Sequence, residues 1–448
     1  DTDTLKVKDA AMTLLEDKVI ALEGWVPEAI AADTDHWLAD KGVAYELEIP
    51  TEQDNPPILL KNNKFARLFE FIGELYSLPN YREIDLTTFF APFFVLFFCG
   101  MRLFSHDVPD YRLMSHITWI LWLFALIYLP KLFYALFDII GWILNGFSRK
   151  ISLWLSRVGA GFAVVLAILL LYGALVGRTR VYVKQVEIAY DGLPRQLDGF
   201  KIVQLSDMHV GNWGDYTRTM RRAARLAQEC EADMIVFTGD FVNNFSDEIT
   251  PEVVDIFSSI ETPRCGKYAI LGNHDYGDYF HWENPEEKEQ TLRSLIVNEE
   301  KMGWTMLNNR SVFLHRGNDS IALIGVENWG LPPFPQYGKL DQAYSSLNDS
   351  VFKILLSHNP LHWKHEVIPH SNIDLTLSGH THAMQLKLGW EGFEYSFAEP
   401  LYPEWSGLYT APDKHQMLYV NEGIGCVFLP MRIGARPEIT IITLKKES

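Results

Sequence analysis

From residue 201 onward, short apolar runs alternate with stretches whose apolar residues recur at helical spacing. The runs are Lys201–Leu205 (KIVQL), Met234–Phe237 (MIVF), Tyr268–Leu271 (YAIL), Phe352–Leu356 (FKILL) and Ile373–Leu377 (IDLTL). Near-continuous apolarity over so few residues is the pattern of strands covered on both faces. Between them Tyr216–Cys230, Pro251–Ile260, Glu286–Met302 and Asp341–Leu347 carry amphipathic helical patterns. Val181–Ile188 reads as a strand ahead of this region, followed by a turn at Asp191-Gly192-Leu193-Pro194, and Glu438–Leu444 (EITIITL) as a closing one. Strand–helix alternation of this kind predicts an α/β domain over residues 199–448, with 178–198 as a connector.

The preceding stretch has a different pattern. Val158–Gly177 is twenty residues without a charge, which predicts a transmembrane helix. His116–Leu129, Pro130-Lys131 and Leu132–Leu144 form a longer apolar block interrupted by Lys131 and Asp138. It reads as one spanning helix plus an interfacial one, or as a tight helical hairpin. Phe89–Met101, with Pro92 inside it and Arg102 closing it, gives a shorter first membrane helix. Residues 88–177 are therefore expected to be a membrane region of two to four apolar helices, making the protein multi-pass in a cell (inner) membrane. Arg149, Lys150 and Arg157 lie between the last two blocks, so the positive-inside rule sends the chain after Gly177 to the extracytoplasmic side; Arg178, Arg180 and Lys184 pull the other way.

Residues 1–87 are acidic and soluble in character. Ala10–Ala21 has helical spacing stopped by Gly24-Trp25-Val26-Pro27, Pro50–Pro57 reads as a linker, and Leu59–Tyr81 leads into a second helical pattern. The chain opens at Asp1 without a methionine or signal-peptide pattern, so a non-native start is expected. The formal charge over all 448 residues is −18, which argues against a nucleic-acid groove. The four cysteines, Cys99, Cys230, Cys265 and Cys426, contain no close pair and read as small buried hydrophobes.

What adds chemistry is how the apolar runs end. The first is followed by Asp207 and His209, the second by Gly239-Asp240, the third by Gly272-Asn273-His274-Asp275, the fourth by His358 and the fifth by Gly379-His380-Thr381-His382. Residues i and i+2 of an extended segment point the same way, so a strand running into a loop can aim Asp207 and His209 at one point. Asp with His suits a borderline divalent ion. Parallel strands deliver such residues to a shared edge, and the glycines before Asp240, Asn273 and His380 allow sharp turns and close approach.

The ordered set DMH…GD…GNHD…H…GHTH resembles the calcineurin-like metallophosphoesterases from about Lys201 to the C-terminus. The resemblance implies a four-layer αββα sandwich, preceded here by the helical membrane segment and a small α/β N-terminal fragment. It implies one metal held by Asp207, His209, Asp240 and His382, and a second held by a bridging Asp240, Asn273, His358 and His380. His274 then faces the leaving group as a general acid, and Asp275 orients an imidazole from behind. The mixed His/Asp/Asn set suits two divalent ions, Mn2+, Fe or Zn2+. The activity implied is hydrolysis of a phosphodiester or pyrophosphate by a metal-bridging hydroxide, and the membrane anchor points to a lipid-linked substrate. A cyclic-nucleotide phosphodiesterase is the alternative within the enzyme class.

Separately, LEGWVP at Leu22–Pro27, PPILLKNNKFARLFE at Pro56–Glu70, LYSLPNYREID and APFFVLFF resemble a fragment of V-type ATPase subunit I. That resemblance stops at about Phe98. It allows a second alternative, a structural or docking protein, although rotary-ATPase partners are not expected. Elsewhere the polar residues read as structural: His362, His365 and His370 as solvated, Asn243 and Asn244 as a turn, Trp329 as a packed loop or a cleft wall, and Arg432 and Arg436 as salt-bridge partners or phosphate grips.

Overall fold

The computed structural model describes residues 11–14, 19–22, 25–26, 30–49, 94–102, 110–213, 216–344, 347–348, 351–390, 392–412 and 415–447. The chain divides into two compact units, Asp1–Val95 and Leu96–Ser448.

In the first unit, strands β1 (Ala11–Leu14) and β2 (Val19–Leu22) pair antiparallel from Ala11↔Leu22 to Leu14↔Val19, and helix α1 covers Ala31–Asp40. This corrects the helix expected over Ala10–Ala21. Over so short a stretch the apolar positions fit either period, and Thr13, Val19 and Ile20 are β-branched residues that favour the extended form. The expected linker at Pro50–Pro57 and the helical pattern of Leu59–Tyr81 lie outside the described residues.

The second unit begins with helical residues 96–102 and then helices α2 (Tyr111–Leu144) and α3 (Arg149–Leu175). The apolar block that reads as two pieces is one helix running through Pro130. In an apolar stretch of this length, Pro is tolerated where neighbouring groups and local adjustments satisfy the freed carbonyl. The hairpin is instead made by α2 with α3. Gly159 lets α3 approach Phe137 so closely that an added Cβ would sit 2.5 Å from the Phe137 Cβ. Asp138, the interrupting charge, accepts a hydrogen bond from Ser156 Oγ across the pair. Both helices, 34 and 27 residues long, exceed a hydrocarbon core of about 30 Å at about 1.5 Å per residue, and residues such as Trp142, Val164 and Ile168 are exposed on them.

The remainder is built from β3 (Tyr182–Tyr190), β4 (Lys201–Leu205), β5 (Met234–Phe237), β6 (Lys267–Ala269), β7 (Thr305–Met306), β8 (Arg310–Arg316), β9 (Asp319–Gly325), β10 (Phe352–Leu356), β11 (Leu375–Ser378), β12 (Lys387–Trp390), β13 (Phe393–Ser396), β14 (Gly407–Thr410), β15 (Met417–Val420) and β16 (Glu438–Lys446). One six-stranded sheet has the order β3-β16-β4-β5-β6-β7 and the other β14-β15-β11-β10-β9-β8. The inner strands β4, β5 and β6 are parallel in the first sheet, and β9, β10, β11 and β15 in the second. Period-two alternation explains the layers. Ile202, Met234 and Val236 face the second sheet, in one core with Ile354, Leu356 and Leu377. Val203, Leu205, Ile235 and Phe237 face outward onto helices α4 (Arg218–Glu229), α5 (Pro251–Ser258) and α6 (Pro285–Lys301). On the far side, Ile324 and Leu355 meet Leu340 and Ala343 of helix α7 (Leu340–Tyr344), together with Trp363 and Val367. The result is the α/β/β/α sandwich.

The two sheets are also joined through polar groups. The buried Glu438 of β16 accepts from Tyr419 of β15 at 2.6 Å, from Thr440 at 2.7 Å and from Tyr182 at 3.0 Å. Asn421 donates to Thr440 at 2.8 Å from the second sheet's side. Removing the carboxylate strands buried hydroxyls, each unsatisfied group costing about 1–3 kcal/mol. Glu438→Ala is therefore expected to lower the thermal midpoint of the purified full chain in detergent markedly, and Glu438→Gln, which keeps one acceptor oxygen, by less. Equal midpoints for the two variants would contradict this account of the seam.

Candidate metal centre

Every motif residue lies at the carboxyl end of a parallel strand. Asp207 and His209 follow β4, Asp240 follows β5, and Asn273, His274 and Asp275 follow β6, all in the first sheet; His358 follows β10, and His380 and His382 follow β11, in the second. The edge is thus shared by two sheets rather than one. The expectation that Asp207 and His209 point together from an extended backbone is corrected. Strand β4 stops at Leu205, and Asp207 and His209 have φ of 52° and 44°. Asp240 (60°), His380 (74°) and His382 (50°) are left-handed as well. Such conformations are uncommon for non-glycine residues and gather at functional sites. They aim the side chains by kinking the backbone at the strand exits.

The structure brings the predicted residues together in two adjoining groups. Asp207, His209 and His382 form one and Asp240, His358 and His380 the other, each with ligand-type atoms within 4.8 Å of one another. In the first, His382 Nε2 lies 3.1 Å from Asp207 Oδ1 and 3.1 Å from His209 Nε2. In the second, His358 Nε2 lies 3.1 Å from Asp240 Oδ2, 3.1 Å from Asn273 Oδ1 and 3.2 Å from His380 Nδ1. Asp240 Oδ2 is also 3.7 Å from His209 Nε2, so this carboxylate adjoins both groups.

Backbone and side-chain contacts set the tautomers. His358 Nδ1 donates to the Thr238 carbonyl at 2.7 Å, which leaves its Nε2 lone pair facing the centre. Asn273 Nδ2 donates to Tyr279 Oη at 2.8 Å, which fixes the amide with Oδ1 inward. His380 Nε2 meets Tyr402 Oη at 2.8 Å and presents Nδ1. A Cβ on Gly379 would strike Ser206 Oγ and the Asp207 carboxylate, so only glycine lets β11 exit here.

Electrostatics favour ionised carboxylates and neutral rings. Burial opposes charge on Asp207 and Asp240, yet the imidazoles, His382 for Asp207 and His358 for Asp240, hold both carboxyls below the usual range. Burial, helped by His358, pushes His380 down to about 3, and burial pushes His209 and His382 down as well. His358 is the exception: burial works against its charge, but Asp240 outweighs it and holds the ring at about 9. A proton there occupies the place between oxygen and nitrogen donors that suits a cation. Donors of both types, oxygen and nitrogen, and a carboxylate adjoining both groups fit two divalent ions.

His274 closes one side. Its amide donates to Asp240 Oδ1 at 2.8 Å, its Nδ1 meets the Asn243 carbonyl at 2.9 Å, and Tyr279 stacks on the ring with centroids 4.5 Å apart. Asp275 lies against backbone rather than an imidazole: it accepts from the amides of Asp240, Phe241, Val242 and Gly272. Burial and the nearby Asp240 charge push it up to about 7 against those amides. Several contributors carry no motif. The buried Glu248 gathers the amides of Gly211, Asn243, Asn244 and Phe245 and so sets the carbonyl that orients His274. Among the described residues Arg432 has no salt-bridge partner, and its burial keeps it from gripping a phosphate. It is buried, donates to the carbonyls of Gly425, Glu422 and Ala435, and places Nη2 2.8 Å from His382 Nδ1. Arg436 stacks on Tyr182. His362, expected to be solvated, is fully buried between Ser357 and Glu366 and stacked on Trp329, because Trp363 and Val367 turn that segment onto the sheet; His365 and His370 are exposed.

Comparison with known proteins agrees with this geometry. Residues 200–384 match the family model described as calcineurin-like phosphoesterase. The chain is 33% identical over 258 residues to the uncharacterized metallophosphoesterase YkuE of Bacillus subtilis, covering 56% of this chain and 82% of that protein. It is 32% identical over 295 residues to a transmembrane protein with metallophosphoesterase domain from Danio rerio, covering 63% of this chain and 62% of that one, so it spans less than two thirds of that relative. It is 28% identical over 289 residues to the UDP-2,3-diacylglucosamine pyrophosphatase LpxG of Chlamydia muridarum, covering 55% and 84%. The chain belongs to the calcineurin-like phosphoesterase family. It is a hydrolase, a metal-dependent phosphoesterase, with two candidate metal-binding groups.

Tyr402 gives a test of the second group. Partners of this kind orient a metal-binding imidazole and are worth about 10–100-fold in metal affinity. Tyr402→Phe is expected to weaken Mn2+ binding on that scale, measured by calorimetric titration of metal-stripped protein. Unchanged affinity would remove Tyr402 from the centre.

Proposed function

We propose that this protein is a membrane-anchored two-metal phosphohydrolase acting on a phosphodiester or pyrophosphate, with a lipid-linked substrate. The observation that carries the reading is the Asp240 carboxylate lying 3.1 Å from His358 Nε2 and 3.7 Å from His209 Nε2, between two clusters of inward-facing donors. In this reading Asp207, His209, Asp240 and His382 hold one ion, and Asp240, Asn273, His358 and His380 the other. The nitrogen–oxygen donor set suits Mn2+, Fe or Zn2+. Divalent ions bound there neutralise phosphate charge and acidify the attacking water. His274 keeps its Nδ1 proton on the Asn243 carbonyl, so a second proton on Nε2 is the one it gives to the departing oxygen. Asn273, His274 and His380 are half-buried while the carboxylates behind them are buried, which leaves this side for the phosphoryl group.

Lipid specificity is supported by the relative named for UDP-2,3-diacylglucosamine and by α2 and α3, which are long and apolar enough to cross a membrane. We place the turn between α2 and α3, with Arg149 and Lys150, in the cytoplasm, and the phosphoesterase domain, residues 199–448, on the extracytoplasmic side. Residues 88–177 are then the membrane region and 1–87 a separate appended domain.

Two substitutions test the assignment in full-length protein assayed with Mn2+ on phosphomonoesters, aryl phosphodiesters and diacyl pyrophosphates. Asp240→Ala is expected to abolish turnover and lower the bound metal measured by mass spectrometry without loss of fold; full activity in this variant or in metal-free protein would refute two-metal hydrolysis. His274→Gln is expected to retain metal but lose about two to four orders of magnitude in turnover, less for substrates with good leaving groups. A metal loss matching that of His380→Ala would make His274 a ligand instead.

A further inference from the structure

Strands β12 and β13 pair antiparallel, with Leu388 opposite Tyr395 and Trp390 opposite Phe393. Residues directly opposite share a face, so these four side chains form one side of the hairpin. They are 50%, 44%, 72% and 72% exposed, respectively. The other side is polar and anchored: Lys387 reaches the buried Glu422 at 2.6 Å and Glu394 at 3.5 Å. A hairpin in water is expected to turn its apolar face inward. This one has it reversed.

Its position accounts for the reversal. Leu386 bridges to Ile433, Lys387 N donates to the Ile433 carbonyl at 2.9 Å, and Ile433 N donates to Gln385 O at 2.9 Å. The same segment caps the end of α3, with Arg432 N donating to the Gly173 carbonyl at 3.1 Å and the Ile433 side chain against Gly173. Leu429 packs against the cluster formed by Cys99 with Ile117 and Leu121 of α2. The hairpin is therefore joined to the place where both apolar helices meet the sandwich. In sequence it lies between His382 and Tyr402, both of which belong to the centre.

We propose that the β12–β13 hairpin docks into the bilayer interface, with Leu388, Trp390, Phe393 and Tyr395 at the boundary between headgroups and acyl chains. Aromatic side chains favour that depth. The occupant is lipid because the base of the hairpin is bonded to the 429–433 segment that meets α2 and α3, helices long and apolar enough to cross a membrane. The inference rests on the membrane-anchored reading above. It adds a role: the hairpin holds the opening at Asn273, His274 and His380 at headgroup level, so a diacyl substrate presents its phosphoryl group while its chains stay in the bilayer.

The test uses the full chain in phosphatidylcholine nanodiscs. An environment-sensitive NBD label is placed at Phe393→Cys, or at the exposed Arg225→Cys as control, after Cys230→Ser and Cys265→Ser. Nitroxide lipids are expected to quench the label at 393 and not at 225. Equal quenching at both sites overturns the proposal, as does cross-linking of 393 between two copies in place of lipid quenching. In parallel, the double variant Trp390→Ser/Phe393→Ser should leave aryl phosphodiester turnover unchanged. Its kcat/KM on a diacyl pyrophosphate should fall at least about tenfold, the scale of losing partial burial of two large side chains. Equal losses on both substrates would make the hairpin merely structural and refute docking. If the unmodified chain turns over no diacyl substrate while the label at 393 is quenched, the lipid-substrate reading fails and the docking stands.

Discussion

The centre depends on electrostatic crowding. Asp207 and Asp240 are buried, their carboxyls held below the usual range, beside the ring nitrogens of His209, His358, His380 and His382. So many electron-rich atoms within a few ångströms repel one another unless positive charge lies among them. Burial works against charge on His358, but Asp240 raises the ring to about 9, while burial, helped by His358, pushes His380 down to about 3. The surroundings serve this arrangement. Asp275 and Glu248 gather backbone amides to fix the loops after β5 and β6, and Arg432 ties the 422–435 segment to His382.

Much of this was legible in the chain. Strand–helix alternation predicted the α/β domain, and the order of Asp, Asn and His at the strand ends carried the resemblance that implied the sandwich. Parallel strands deliver their C-terminal neighbours to one side whatever sheet they join. Local backbone geometry was not legible. A left-handed Asp207 or His382 leaves no trace in residue type, since the bonds that hold it, such as Met208 N and His209 N to the Asp240 carbonyl, come from the neighbouring strand exit. The partners were hidden for a related reason. Tyr402, Tyr279, Glu248 and Arg432 are ordinary residues by composition, and only three-dimensional proximity gives them a role. Short apolar segments misled in another way: Ala11–Leu22 satisfies two periodicities, and tertiary pairing selected the strands.

The hairpin and the helices show the same logic at larger scale. Apolar side chains left exposed on α2, α3 and β12–β13 are unfavourable in water but consistent with one another beside lipid. The 429–433 segment links them, bonded on one side to the end of α3 and on the other to the strand that follows His382. The loop after β11 and the apolar surface are thereby joined through one hydrogen-bonded segment.

Division of the centre between two sheets has a consequence for how the protein acquires its metals. His209 and His382, which share one cluster, are 173 residues apart in sequence, and His358 and Asn273 in the other are 85 apart. Neither cluster can be assembled by one half of the sandwich. Loop closure over such separations is slow, so high-affinity capture of ions belongs late in folding, after the halves have met. An ion held by either cluster would act as a crosslink across the seam, and its binding energy would become resistance to the halves parting. Metal starvation would then shorten the lifetime of the folded protein as well as silence it.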